Sequence, residues 1–259
     1  MSRARGLAIA SLLALASCAA PVAVPLPRDD PRPAALLAAF ADQASRRDGL
    51  RGDARLAVDA DSPQPLHLRS RQSLVLARPA SLRIEVQGML GATLAVLAID
   101  GQQYAFFDTG SRRFEQGPLT DDVLWRIARL SLAPGEVVEV VLGGPRLAPD
   151  LSVRAAYAMA DGGVRVELEG DQGARRALEF DAEGKLREWV ARDPERGAWT
   201  ARFDDYADVA GQSLAHRVSI DTGDTQAVLQ LSHVELNPSL PADIFRLDGL
   251  AARSGAEGG

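Results

Sequence analysis

The sequence predicts an α+β fold: a strongly curved antiparallel sheet of about ten to eleven strands, with a few helices set against it. Three observations carry that reading. Apolar and polar residues alternate in segment after segment from Leu50 onward, glycine- and aspartate-rich turn signals separate those segments, and only three stretches show helical spacing.

The first helical stretch runs over Pro33–Asp48, with Leu36, Leu37, Phe40 and Ala44 on one face and Gly49 as its stop. The period then changes to two. Leu56 and Val58 alternate with Arg55 and Asp59, and a long segment follows from Leu66 to Arg78. Beyond Pro79, Leu82, Ile84 and Val86 alternate with Arg83, Glu85 and Gln87, as in a strand with one buried and one wet face. Thr93–Ile99 is apolar on both sides, which predicts cover on both faces. Asp100-Gly101 marks a hairpin turn before the return strand Gln103–Phe107, and Arg112–Gln116 adds a short strand.

The middle of the chain reads as helix. Thr120 is a candidate N-cap with Asp121 and Asp122 in the first turn, and Val123, Leu124, Ile127 and Leu130 form one apolar face. A further helix is predicted from Pro134 to Leu142, ahead of Gly143-Gly144-Pro145. Strands resume at Ser152 and continue through Val164–Glu169, Arg176–Asp181, Leu186–Arg192, Ala198–Phe203, Ser213–Ile220 and Ala227–Leu236. So large a sheet must curl or be covered, and three short helices cannot form a full second layer. A curled sheet under a partial helical lid, with an apolar cavity between them, satisfies both demands.

Charge and composition exclude several functions. The formal net charge is −6, and removal of residues 1–17 would take away Arg3 and Arg5 but no acid, leaving 27 basic and 35 acidic residues. That balance argues against nucleic acid as a partner and against a polybasic grip on anionic lipid. The three histidines, His67, His216 and His233, lack metal-ligand spacing, so no metal or cofactor is expected. Asp121-Asp122 and Asp204-Asp205 read as helix-start and strand-end charges rather than acid/base pairs. No strand–Ser–helix elbow appears, and Gly143-Gly144-Pro145 lacks the lysine of a phosphate loop. No catalytic residue is expected.

The N-terminus carries the strongest signal. Arg3 and Arg5 precede a short apolar run, Leu7–Leu15, and small residues lead to Cys18, the single cysteine. The run is shorter than the roughly 20 residues that span a bilayer, as in a processed secretion signal. Residues 1–17 are therefore read as signal peptide. Residues 18–33, with Pro21, Pro25, Pro27, Pro31 and Pro33, are read as a lipidated cysteine and a proline-rich tether. The domain is expected to span 34–248, and the glycine-rich tail 249–259 to be disordered.

Leu15-Ala16-Ser17-Cys18 resembles the bacterial lipobox, which implies acylation of Cys18. Ala19 after it, in place of an aspartate, implies by the same resemblance an outer-membrane destination, facing the periplasm. The order of Leu50-Arg51-Gly52-Asp53-Ala54-Arg55, Arg78-Pro79, Leu82–Glu85, Gly88-Met89-Leu90-Gly91-Ala92-Thr93, Leu142-Gly143-Gly144-Pro145 and Asn237–Pro241 with Ile244-Phe245 and Leu247 resembles the outer-membrane lipoprotein-sorting (LolA/LolB-like) family. That family implies an unclosed half-barrel with a helical lid over an acyl-chain cavity.

The lipobox makes the chain closest in type to the family's lipid-anchored receptor rather than its soluble carrier. The implied function is to receive acylated lipoproteins from a periplasmic carrier and to insert them into the outer membrane, as a monomer. The receptor's protruding leucine falls on the Met89, Leu90 loop. The candidate cavity residues are Leu82, Ile84, Val86, Leu94, Val96, Tyr104 and Phe106, with Leu124 and Ile127 from the lid. Two other readings stay open: a non-enzymatic envelope-assembly or stress-sensing lipoprotein on the same fold, and an unidentified hydrolase.

Overall fold

A computed structural model describes residues 23–61, 65–88, 90–170, 173–194, 196–241 and 243–246. The signal segment, Cys18, Met89 and the tail 249–259 lie outside the described residues. Fourteen strands form one antiparallel sheet: β1 (Val24–Pro25), β2 (Gly49–Ala60), β3 (Leu66–Ala77), β4 (Ser81–Gln87), β5 (Thr93–Asp100), β6 (Gln103–Asp108), β7 (Arg113–Pro118), β8 (Ser152–Ala158), β9 (Val164–Glu169), β10 (Arg175–Phe180), β11 (Leu186–Asp193), β12 (Gly197–Val209), β13 (Gln212–Asp221) and β14 (Thr225–Leu236). Three helices accompany them: α1 (Pro31–Ser45), α2 (Val123–Ala128) and α3 (Pro134–Val141).

The spatial order is β1-β8-β9-β10-β11-β12-β13-β14-β2-β3-β4-β5-β6-β7, so the sheet is unclosed, with β1 and β7 at its edges. Almost every junction joins strands that follow one another in sequence, as short hairpin connections favour. The two exceptions are the edge, where β1 pairs with β8, and the centre, where β14 pairs with β2 and brings the end of the chain beside its beginning. The count exceeds the ten to eleven expected because every alternating segment pairs and β1 adds one more.

One face of the sheet holds the core. Leu50, Ala54 and Val58 of β2, Leu74 and Leu76 of β3, Leu82 of β4, and Leu97 and Ile99 of β5 share a single cluster with Val123, Leu124 and Val138 of the helices. Phe40 of α1 meets Phe180 of β10 edge to face, with ring centroids 5.7 Å apart.

Two buried arginines tie the helices to the sheet. Arg47 donates to the carbonyls of Leu142 at 3.2 Å and Ser213 at 2.8 Å, and to the Gln212 side chain at 3.2 Å. Arg78 donates to the carbonyls of Arg47 at 2.9 Å and Gly144 at 3.1 Å, and lies 3.5 Å from the Glu139 carboxylate. The double glycine makes room for this arrangement. A Cβ on Gly143 would stand 2.5 Å from Arg47 Nη1, and one on Gly144 2.6 Å from Phe40 Cζ; both residues also have positive φ.

Three local expectations change. The described part of the proline-rich segment is docked: Val24 and Pro25 pair with Ala158 and Tyr157 of β8, and the Leu26 amide donates to the Ala156 carbonyl at 2.8 Å. An edge strand tolerates proline, because no neighbour needs its missing N–H. Helix α1 accordingly starts at Pro31, with Asp30 accepting from the Arg32 amide as N-cap, and Pro33 is buried within it. Helix α2 is shorter than its apolar pattern, because the Thr120 hydroxyl donates to Asp122 rather than capping, and Arg129 ends the helix at φ 58°.

The outer face is covered at one end. Arg83 of β4 donates to the Ile244 carbonyl at 3.2 Å, and Arg51 of β2 to the Ser239 carbonyl at 3.4 Å, which holds the C-terminal segment across that face. Val96 and Ala98 are buried there, apart from the main core, so both faces of β5 are covered over Val96–Ile99, whereas Leu94, expected to be covered too, is half-exposed.

Candidate functional site

The turn between β4 and β5 is the most conspicuous apolar projection of the described surface. Gly91 sits at φ +78°, and its amide donates to the Gly88 carbonyl at 3.1 Å. The Gly88 amide donates to the Ala92 carbonyl at 2.8 Å, closing the loop. Leu90 stands at the tip, 99% exposed, and Leu94 at the foot of the turn is 49% exposed. A leucine held out in this way has no folding role and forgoes about 2 kcal/mol of burial.

The predicted cavity residues divide into four groups. Leu82, Tyr104 and Leu124 are fully packed in the main core, so their space is filled by the chain's own side chains. Ile84, Phe106 and Ile127 are half-buried at its margin. Val86 and Leu94 line an open groove of about 800 Å³ instead. Val96 does not face inward. The register pairs it with Glu85 and Phe107, and the alternation of β5 points Leu97 and Ile99 to the core in its place.

Helix α2 forms the lid, held by contacts at both ends. Arg126 meets Glu115 of the edge strand β7 at 3.0 Å and lies 5.2 Å from the Tyr104 ring centroid, while the Tyr104 hydroxyl donates to Glu115 at 2.7 Å. The Tyr104 hydrogen bond, aided by Arg113 and Arg126, holds the Glu115 carboxyl below its ordinary range against the opposing effect of burial. At the far end the buried Thr225 hydroxyl donates to the Arg129 carbonyl at 2.8 Å. The sequence reading missed Glu115 and Thr225, since nothing local to either marks a partner on α2.

The groove beside Val86 and Leu94 is lined by both alternating sets of residues, with Leu56 and Leu68 joining Val86 from the core-facing set. Ala57 and Val228 line its floor, and Arg55, Arg71 and Arg217 reach it from three strands. Asp122 is the N-cap of α2, and Asp205 occupies an irregularity inside β12 at φ 54°, not a strand end. His67 and His233 each hydrogen-bond an outer-face aspartate, Asp59 at 2.8 Å and Asp53 at 3.0 Å. Among the described residues there is no cluster of metal-ligating side chains, and no helix is long and apolar enough to cross a membrane.

The sequence matches no family model and no curated protein. Its architecture does have solved counterparts. A LolA superfamily protein from Nitrosomonas europaea superposes with a TM-score of 0.57 at 13% identity, over 82% of this chain and 98% of that one. The fold is LolA-like. A DUF1329 family protein from Desulfovibrio piger gives 0.57 at 11% identity, over 85% and 99% of the two chains. A putative outer membrane lipoprotein-sorting protein domain from Vibrio parahaemolyticus gives 0.52 at 11%, over 83% and 97%. The LolA-like fold thus accounts for the open sheet and the short helices on its core face.

Proposed function

We propose that this chain is a lipid-anchored, non-enzymatic receptor of the outer membrane, which accepts acylated lipoproteins from a periplasmic carrier and inserts them into the bilayer. The observation that carries the proposal is Leu90, fully exposed on a glycine-held turn beside the half-exposed Leu94. Such a tip is unfavourable in water and suited to acyl chains. The resemblance of residues 15–18 to a lipobox supports anchoring through Cys18, and the likeness to a putative lipoprotein-sorting domain supports the class of cargo.

The transfer is partitioning, not bond making. Each buried CH₂ contributes about 0.8 kcal/mol, so a multiply acylated cargo needs apolar cover until the bilayer takes it. Helix α2 would swing, carrying Ile127 away from Ile84 and Phe106, to admit the chains. The test is transfer of a labelled lipoprotein from the carrier into liposomes. A Leu90→Glu variant should accept cargo at the normal rate and fail to release it; insertion at the wild-type rate would sink the reading.

The tight packing of Leu82, Tyr104 and Leu124 favours one other reading, a receptor that binds envelope partners without carrying acyl chains. Depletion would then leave no lipoprotein stalled on the carrier.

A further inference from the structure

Five residues stand in one row across the outer face. The register pairs Arg217 with Gln230, Gln230 with Arg55, Arg55 with Arg71, and Arg71 with Gln87. The row therefore spans β13, β14, β2, β3 and β4, and its last member immediately precedes the Leu90 turn. Arg55, Arg71 and Arg217 are exposed, and among the described residues none of the three makes an ion pair or hydrogen bond. Nearby arginines behave differently: Arg69 pairs with Asp59 at 2.8 Å, Arg83 with Glu85 at 2.6 Å, and Arg202 with Glu188 at 3.0 Å.

Like charges placed directly opposite on neighbouring strands destabilise a sheet, and Arg55 faces Arg71 with no carboxylate in the row. The chain is acidic as a whole, yet it keeps three cations together beside Leu90, the most exposed leucine among the described residues. All three line the groove that also contains Leu94 and Gly88 of the turn.

We propose that the Arg217–Arg55–Arg71 row docks the anionic phosphodiester headgroups of the membrane that the Leu90 turn enters. The proposal rests on the reading of Leu90 as a membrane-entering residue and adds the lipid class that the surface selects. Guanidinium groups match phosphate geometry, and each basic residue near an anionic surface raises partitioning about fivefold. Three together would give a gain of up to about a hundredfold, and salt would screen it.

The test uses the full-length Cys18→Ala chain, which carries no acyl anchor, sedimented with vesicles of phosphatidylcholine alone or with added phosphatidylglycerol. The expected result is at least a tenfold increase in binding with phosphatidylglycerol, abolished by high salt. The triple variant Arg55→Gln, Arg71→Gln, Arg217→Gln should bind both vesicles equally, while the three lysine replacements should keep most of the preference. That lysine set controls for any folding defect, since it preserves charge at the same positions.

Equal wild-type binding to both vesicles, or a triple variant that keeps its preference, overturns the proposal. So does millimolar inorganic phosphate that removes the preference at constant ionic strength, because the row would then be a small-anion site. A triple variant that changes oligomeric state in place of vesicle binding would make the row a protein interface and overturn it too. Failure of the functional reading looks different: Leu90→Glu would then bind phosphatidylcholine vesicles as the parent chain does.

Discussion

The Arg78 guanidinium donates through Nε to the backbone carbonyl of Arg47 at 2.9 Å, so one buried arginine fixes the backbone of another. Arg47 in turn holds the end of α3 and the start of β13. The junction of helices and sheet is thus held by two buried guanidinium groups with several partners each, and such sets are costly to break in part.

Gly144→Ala should be strongly destabilising. Its Cβ would meet Phe40 at 2.6 Å and Leu186 at 3.0 Å, from a backbone at φ +131°. We expect a loss of about 2–4 kcal/mol, read as a lowered urea midpoint at unchanged slope. A variant as stable as the parent would mean that α1 does not pack as described.

Glu139 gives a pH signature. Burial pushes its carboxyl up from the ordinary 4.5, even with Arg78 beside it. A raised carboxyl pKa stabilises the fold below the unfolded value, and that contribution is lost as pH climbs through the folded one. Glu139→Gln should therefore gain on the parent as pH rises from 4 to 7, measured by denaturant unfolding at each pH. Parallel curves would contradict the assignment.

The lid contact can be loosened without touching the core. Glu115→Gln keeps an acceptor for Tyr104 but removes the charge that faces Arg113 and Arg126. Uptake of a fluorescent fatty acid should speed up several-fold, with a change in stability of under about 1 kcal/mol, as for exposed pairs. In the parent chain the depressed carboxyl keeps this contact intact at neutral pH and loses it only in acid, as pH falls through the lowered value. Unchanged uptake in the variant would free α2 from any gating role.

Leu90→Glu should leave thermal unfolding within about 0.5 kcal/mol of the parent, since the side chain touches nothing that folding needs. A large loss of stability would show the turn to be part of the core and would remove it from the transfer mechanism.

Much of this architecture was legible in the sequence because strands with one wet face declare themselves by alternation. Leu82, Ile84 and Val86 did so, and so did Val164, Val166 and Leu168. Failures arose where two rules competed. Val96 lies in a run apolar on both sides, and composition could not say which face met the core. Pro25 looked like linker because proline breaks a central strand, whereas an edge accepts it. The arginine row was invisible for another reason. Arg55 and Arg71 are hairpin mates, but Arg217 joins them only through the pairing of β14 with β2, which no local pattern encodes.

The docking of β1 has a mechanical consequence. Five residues lie between Cys18 and Val24, six steps along the chain, and at Val24 the chain is already paired to the edge of the sheet. At roughly 3.3–3.6 Å for each fully extended residue, an acylated Cys18 could stand no more than about 20 Å from that edge. The protein would then be moored on a short line, close enough to the lipid surface for one of its faces to stay in reach of the headgroups.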